Sequence, residues 1–549
     1  MWALRRASGV FLLAVAASCA TSGREPSEAR FTILQINDVY KIEGLEGGNV
    51  GGLARVRTLR RQLEGEGRPV LLLHAGDLLF PSVMGKYLKG RPMIETLNLL
   101  DGDRSARDPR LVTVFGNHEF DDLDPGTILG RAAQADFEWV SSNVRYRSSK
   151  DASGEPLSAR LTNVHDTLLV ELAGVRVGIL GLTTDAQPRD YVSYAYALPE
   201  RRAVVRASVD RLKREGADMI VALTHQDLEE DVRLASEFPE ISLVVGGHEH
   251  FFLQRKVGRT WVTKADADAR SAIVHDVRVR GSSVETTPRK VDLGPETPGD
   301  PLITSEVQTW MTALSRAVRS QTGRDPLEVV GTTENLLEGV EPAVRGRETA
   351  LGNFLADVLR ERMQTDLAFL NGGAIRINDN IPPGPIRNYD LEGIFYFDNA
   401  VVSFALTGAE LLGVLRESVA KVHAGHGRFL QVSGIRFRYH GVGTPESPAY
   451  RLEREDVSVR PRGASDFLPL EMDRRYTVAS LDYLWENGCR DGYALFAKGC
   501  GGASPERLDP GVRLGWRAVT EEAIAALPGR RVTARIEGRI LADRPGDSR

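Results

Sequence analysis

Five apolar runs in the first half of the chain each stop at a residue of metal-binding type. FTILQIN stops at Asp38, VLLLHAG at Asp77, and LVTVFG gives way to Asn117-His118-Glu119-Phe120-Asp121. MIVALT stops at His225, and LVVGG stops at His248-Glu249-His250. Between such runs lie amphipathic stretches such as LARVRTLRRQLEGEG, whose apolar residues recur at helical spacing. Alternating strand and helix patterns predict an α/β layered domain from Phe31 to about Val291. In such domains sites form beyond the carboxyl ends of the strands, so the five turns can converge on one crevice.

Chain length and charge narrow what that crevice can serve. At 549 residues the chain exceeds one ordinary core, so two domains are expected. Its formal net charge is −5 and it has no long basic block, which disfavours a nucleic-acid polymer as partner. A small substrate suits that balance, and no obligate protein partner is indicated.

The first residues differ from the rest. MWALRR is a short basic start, and SGVFLLAVAA is an apolar run too short to span a bilayer. Ser18-Cys19-Ala20 then resembles the lipobox of bacterial lipoprotein signal peptides. That resemblance implies cleavage before Cys19, lipid attachment there, and a lipid-anchored chain exported to a periplasm or cell surface. If lipid takes Cys19, then Cys489 and Cys500 remain as an even pair, a possible disulfide in an oxidising compartment.

Along the chain, residues 1–19 read as signal peptide and lipidation Cys, and 20–29 as a small, polar tether. Residues 30–294 form the first domain. A Pro-, Gly- and acid-rich break with a connecting helix follows over 295–324, then a second domain over 325–540 and a tail over 541–549.

A carboxylate, an amide and imidazoles together suit two divalent cations of hard to borderline character. The order D-x-Y … GD … GNHEFD … H … GHEH resembles the calcineurin-like metallophosphoesterases, and GNHEFD resembles their exported 5′-nucleotidase branch. The resemblance implies a layered β-sandwich with flanking helices, joined by a helix to a smaller α/β substrate domain. It also implies two metal ions (Zn, Mn, Mg or Co) bridged by Asp77. Asp38 and His250 would hold one, and Asn117, His225 and His248 the other. His118, paired with Asp121, would stabilise the transition state. Tyr40 stands where the family usually carries a His ligand. It either binds weakly as a phenol or phenolate, or leaves the first metal with fewer protein ligands. His74, His165, His275, His423, His426 and His440 have no partners at ligand spacing and are read as packing or surface residues, His74 lying close enough to support the site from behind.

In the second half, VRGRETALGNFLADVLRERM reads as a turn entering an amphipathic helix, and LAFLNGGAIRIN as a strand with a Gly-rich turn. Gly373 lets backbone approach a ligand, and Arg376 suits phosphate because its planar fork donates two bonds. By resemblance to the 5′-nucleotidase C-terminal domain, Arg345, Asn371 and Arg376 contact the nucleotide and Phe397 stacks on its base. Asp491 fits the ribose hydroxyls. The opposing ring is Tyr483, with Trp485 as runner-up, because the loop holding Cys489 and Arg490 departs from the family spacing. The expected activity is release of phosphate from nucleoside 5′-monophosphates by a metal-bound hydroxide. The alternatives are a UDP-sugar or cyclic-nucleotide hydrolase, or a binding lipoprotein without turnover, which Tyr40 motivates.

Overall fold

The computed structural model describes residues 28–148, 151–185, 189–444, 447–509, 511 and 513–543. The signal segment with Cys19 and the end of the tail lie outside them.

The first half is built on two stacked sheets. One orders its strands as Ser283–Asp292, Ser271–Arg280, Ala29–Ile36, Val70–His74, Asp108–Val114, Phe137–Val140 and Val164–His165. The other runs Leu253–Val257, Thr260–Lys264, Leu243–Gly246, Met219–His225, Val175–Thr183 and Thr167–Leu172. Ala29–Ile36, Val70–His74 and Asp108–Val114 are mutually parallel, as are Met219–His225 and Leu243–Gly246. Strands covered on both faces need continuous apolar runs, which explains why these segments do not alternate with polar residues.

Successive side chains go to opposite layers. Ile33, Leu71, Leu73, Val112 and Val114 meet Ile179, Val221, Leu223 and Val245 between the sheets. Leu34, Leu72 and Leu111 face outward onto Leu53 and Val56 of the helix Leu53–Gly65 and onto Ile303 and Leu314 of the helix Pro301–Thr322. Leu180, Ala222 and Val244 pack beneath Val205 and Val209 of the helix Leu198–Arg214. The result is a four-layer sandwich, the class expected from the sequence.

Asp300 caps the helix Pro301–Thr322 by accepting from Leu302 N at 3.0 Å, and Pro301 fits its first turn. The second half centres on a five-stranded sheet ordered Leu430–Ser433, Leu367–Asn371, Arg475–Leu481, Ala400–Thr407 and Leu514–Gly515. The helices Ala350–Met363 and Trp516–Ala526 cover one face, and Gly408–Val419 covers the other. Where the halves meet, Tyr389 packs against the first-half core and several contacts are polar. Lys41 Nζ pairs with Asp379 at 3.0 Å, Asn378 Nδ2 donates to Asp268 at 2.8 Å, and Tyr87 OH donates to Glu392 at 2.8 Å. Among the described residues no helix is long and apolar enough to cross a membrane.

Candidate active site

All five strand ends of the first half converge. Donor atoms of Asp38, Asp77 and His225 lie within 4.8 Å of one another, and all three residues are buried. Asn117 Oδ1 lies 3.1 Å from His225 Nε2 and 3.1 Å from His248 Nδ1. His250 Nε2 is 3.3 Å from Asp38 Oδ1. The six expected ligands therefore lie close together, Asp38 reaching His250, Asp77 reaching His225 Nε2 at 3.2 Å, and Asn117 reaching both His225 and His248.

Tight turns make this convergence possible. A Cβ on Gly116 would stand 2.1 Å from Asp77 Oδ1, and one on Gly247 would stand 2.2 Å from the Ala75 carbonyl. Asp38, Asp77 and His248 all adopt positive φ, an uncommon backbone for non-glycine residues that clusters at functional sites. Glu119 braces two of these turns: its carboxylate accepts from Asp77 N at 3.0 Å, Leu78 N at 2.6 Å and Leu79 N at 3.1 Å, and from Gly116 N. Burial, with Asp77 nearby, pushes its carboxyl up to about 7 against those bonds.

The imidazoles are oriented by their second nitrogens. His225 Nδ1 donates to the Ala75 carbonyl at 2.8 Å, which leaves Nε2 to face Asn117 and Asp77. His118 Nδ1 bonds Asp121 Oδ2 at 2.7 Å, and Asp77 and Asp121 raise its pKa against the lowering by burial. Burial alone would raise the carboxyl of Asp38, but His225 and His250 hold it below its ordinary range. Asp77, equally buried, is lowered strongly by His225 and His118. His225 in turn is pushed up to about 9 by Asp77 and Asp38 despite burial. Two carboxylates kept charged and the His225 imidazole kept protonated in this way fit a divalent cation, which binds by displacing that proton.

Tyr40 lies within the group. Its hydroxyl donates to Asp77 Oδ2 at 2.8 Å and stands 3.4 Å from Asp38 Oδ1 and 3.2 Å from His250 Nε2. Burial, then Asp77 and Asp38, push the phenol well above its usual range, so it serves as a donor to the central carboxylate. Its backbone N–H and that of Lys41 are fixed at 2.9 Å by Asp268.

The second half adds the groups across the crevice. Arg345 and Arg376 stand beside the site, each with Nε buried and unpaired. Phe397 is 45% exposed, with the Arg376 guanidinium 5.9 Å from its ring centre and the Tyr396 ring edge-on at 5.1 Å. Asn371 ends its strand with Oδ1 buried and unpaired. Gly373 N donates to Gly427 O at 2.9 Å, so the close approach here is to backbone of the 427–429 segment. Asp491 is raised by burial, with Arg428 and Arg345 opposing, and it is in turn a neighbour of the Tyr483 phenol. Trp485 is otherwise engaged: its Nε1 donates to Pro505 O at 2.8 Å and Lys498 Nζ lies 4.5 Å from its ring centre. Cys489 and Cys500 form a disulfide in the loop that follows.

Sequence reasoning missed Glu341, Asp268 and Lys264, and named Glu119 without a role. Lys264 is wholly buried, pairs with Asp231 at 3.1 Å and with Glu249, and donates to Gly247 O at 2.8 Å, fixing the loop that carries His248 and His250. Of the remaining histidines, His275 is a core residue bonded to Gln35 Oε1 at 3.0 Å, and His74 meets Thr113 Oγ1 at 3.0 Å behind Asp77.

A layered sandwich with carboxylate, amide and imidazole donors gathered at its strand ends defines a hydrolytic metalloenzyme of the metallophosphoesterase class. Two family models match: calcineurin-like phosphoesterase over residues 31–252, and 5′-nucleotidase, C-terminal domain, over residues 329–498. The chain belongs to the calcineurin-like phosphoesterases of 5′-nucleotidase type and is a metal-dependent phosphoester hydrolase. Snake venom 5′-nucleotidase from Naja atra is 26% identical over 514 residues, covering 84% of this chain and 91% of that protein. The 5′-nucleotidase of Homo sapiens is 25% identical over 511 residues, 84% of each chain. The solved structure of a 5′-nucleotidase precursor from Thermus thermophilus matches with TM-score 0.70 at 26% identity, covering 94% of this chain and 99% of that one. A sulfate thiohydrolase of Thermus thermophilus shares the fold, with TM-score 0.66 at 18% identity over 94% of this chain and 97% of that one.

Proposed function

We propose that the protein is an exported, lipid-anchored phosphohydrolase that releases phosphate from nucleoside 5′-monophosphates with two divalent cations at Asp77. The observation that carries this reading is the meeting of two sets: the buried donors Asp38, Asp77 and His225 with Asn117, His248 and His250 in hydrogen-bond range of them, and two arginines with buried unpaired Nε atoms that share Glu341 with His250. Asp38, Asp77 and His250 would hold one cation, and Asp77, Asn117, His225 and His248 the other. Bound cations would supply Lewis acidity, drawing charge from a phosphoryl oxygen and lowering the pKa of a water.

The chain's own groups supply the rest. Asp121 fixes His118 through Nδ1, so its Nε2 holds a proton that offsets charge growing on the phosphoryl group. Arg345 and Arg376 bind phosphate oxygens through free N–H groups. Phe397 and Tyr483 hold a base between two rings, a mode that tolerates different bases, while Asp491 accepts from ribose hydroxyls. The Cys489–Cys500 disulfide and the signal-like start support an oxidising, exported location with attachment through Cys19.

A second reading, a binding lipoprotein without turnover, is favoured by one observation, the Tyr40 hydroxyl on Asp77. Phosphate release from AMP, UDP-glucose, a cyclic nucleotide and an aryl phosphate, with Mn²⁺, Zn²⁺ or Mg²⁺ restored after chelation, separates the two. Release from AMP above the others supports the nucleotidase reading. A preference for UDP-glucose or the cyclic nucleotide redirects it, and no release under any metal refutes it.

A further inference from the structure

Each metal-type imidazole in a hydrolytic site needs a partner for its second nitrogen, which fixes the ring and raises its basicity as a ligand. For His225 that partner is the Ala75 carbonyl, from its own domain. For His250 it is a carboxylate from the other half of the molecule: Glu341 Oε2 pairs with His250 Nδ1, while His250 Nε2 faces Asp38. Glu341 opens the one-turn helix Glu341–Val344, and its own N–H is held by Asn378 Oδ1 at 3.1 Å.

The same carboxylate also holds both arginines. Glu341 Oε1 accepts from Arg345 Nη2 at 2.6 Å and lies 3.0 Å from Arg376 Nη1. Its side chain is 4% exposed and these contacts, one imidazole and two guanidiniums, compensate its burial. A buried acid beside two phosphate-type arginines is otherwise a liability, because it repels the anion they are there to bind. It leaves each guanidinium its Nε, however, and fixes one edge of both.

We infer that Glu341 is a positioning residue that joins the two halves of the site. It holds the His250 ring with Nε2 toward Asp38, where a cation would bind, and through its other oxygen it fixes one edge of Arg345 and of Arg376. A cation held by Asp38 and His250 would thus gain this outer support only when the two halves stand together as here. By reciprocity, metal binding there favours the apposed arrangement, and apposition tightens that metal. The inference rests on the dimetal phosphohydrolase reading and adds to it a residue that couples metal retention to placement of the phosphate-binding groups.

The test needs no substrate. Mn²⁺ binding to chelated full-length protein is measured by calorimetry for the wild type, Glu341→Gln, His250→Gln and the double variant. Glu341→Gln is expected to weaken one of two sites by about 10- to 100-fold and leave the other unchanged. In the His250→Gln background it should change affinity by about twofold or less, because the effect passes through His250. Unchanged affinity in Glu341→Gln, equal loss at both sites, or full additivity in the double variant would overturn the inference. Should Glu341→Gln fail to fold, Glu341→Asp, which withdraws the carboxylate by one methylene, is measured against the same outcomes. Absence of any Mn²⁺ binding by the wild type would instead refute the dimetal reading itself.

Discussion

Replacing Tyr40 by Phe separates two roles that the sequence leaves open for this residue. The hydroxyl donates to a buried carboxylate at 2.8 Å, with Asp38 and His250 the only other polar groups within about 3.5 Å of it among its described bonds. A hydrogen bond to a charged acceptor is worth about 1.5–3 kcal/mol. A cation held by Asp77 would have to compete with that bond. Tyr40→Phe should therefore destabilise the metal-free protein by about 1.5–3 kcal/mol. The same figure should reappear as tighter metal binding, roughly 10- to 150-fold at about 1.4 kcal/mol per decade. Tyr40→His should tighten binding as well, by removing the competing donor and adding a ligand. The assay is Mn²⁺ calorimetry on chelated protein, paired with urea unfolding in chelator. If the phenol were itself a ligand, Phe would weaken binding. Weaker or unchanged affinity in Tyr40→Phe refutes the competition argument.

Three further outcomes follow from the geometry. His118→Asn should lower kcat by about 10²- to 10⁴-fold with metal content by elemental analysis unchanged, since His118 touches the site through its own Asp121 pair. Phe397→Ala should raise KM for AMP by the equivalent of about 1–3 kcal/mol while leaving KM for an aryl phosphate near wild type, because only the former loses a stacked base. His275, pushed down to about 3 by burial, stays neutral in the folded chain while the unfolded chain takes up a proton below about 6.5. Its contribution to stability is present above that value and is lost as pH falls toward 3. Between about pH 6.5 and 5 the wild type should thus lose about 1.5–2 kcal/mol more than His275→Gln in urea unfolding.

The layers and most of the donor set were legible because both follow from local pattern. An apolar run covered on both faces must end at the crevice, so a polar residue at its end is already placed. That logic picks out Asp38, Asp77, Asn117, His225, His248 and His250 from their own strands, and the fold brings the donors of Asp38, Asp77 and His225 within 4.8 Å of one another. It cannot locate Glu341, which lies in an unremarkable GVEPAV segment and gains meaning only when the second half is laid against the first. Lys264 was hidden for the opposite reason. It ends the strand TWVTK like any edge cation, yet it is buried because Asp231 and Glu249 come to it from other elements. Tyr40 was legible as a departure, but its direction was not: spacing shows where a phenol sits, and only the fold shows that it points at Asp77. Tyr483 ranks above Trp485, its neighbour in one short helix, from loop spacing alone, and the contacts of Trp485 with Pro505 and Lys498 come from a loop whose path the sequence pattern does not show.

Two cations sharing Asp77 are the core of the proposed chemistry, and anomalous scattering from Mn²⁺-soaked crystals would locate them. Two peaks are expected about 3.5–4 Å apart, one beside Asp38 and His250 and the other beside Asn117, His225 and His248, with Asp77 between them. A single peak at saturating Mn²⁺, or none at these residues, would contradict the dimetal reading.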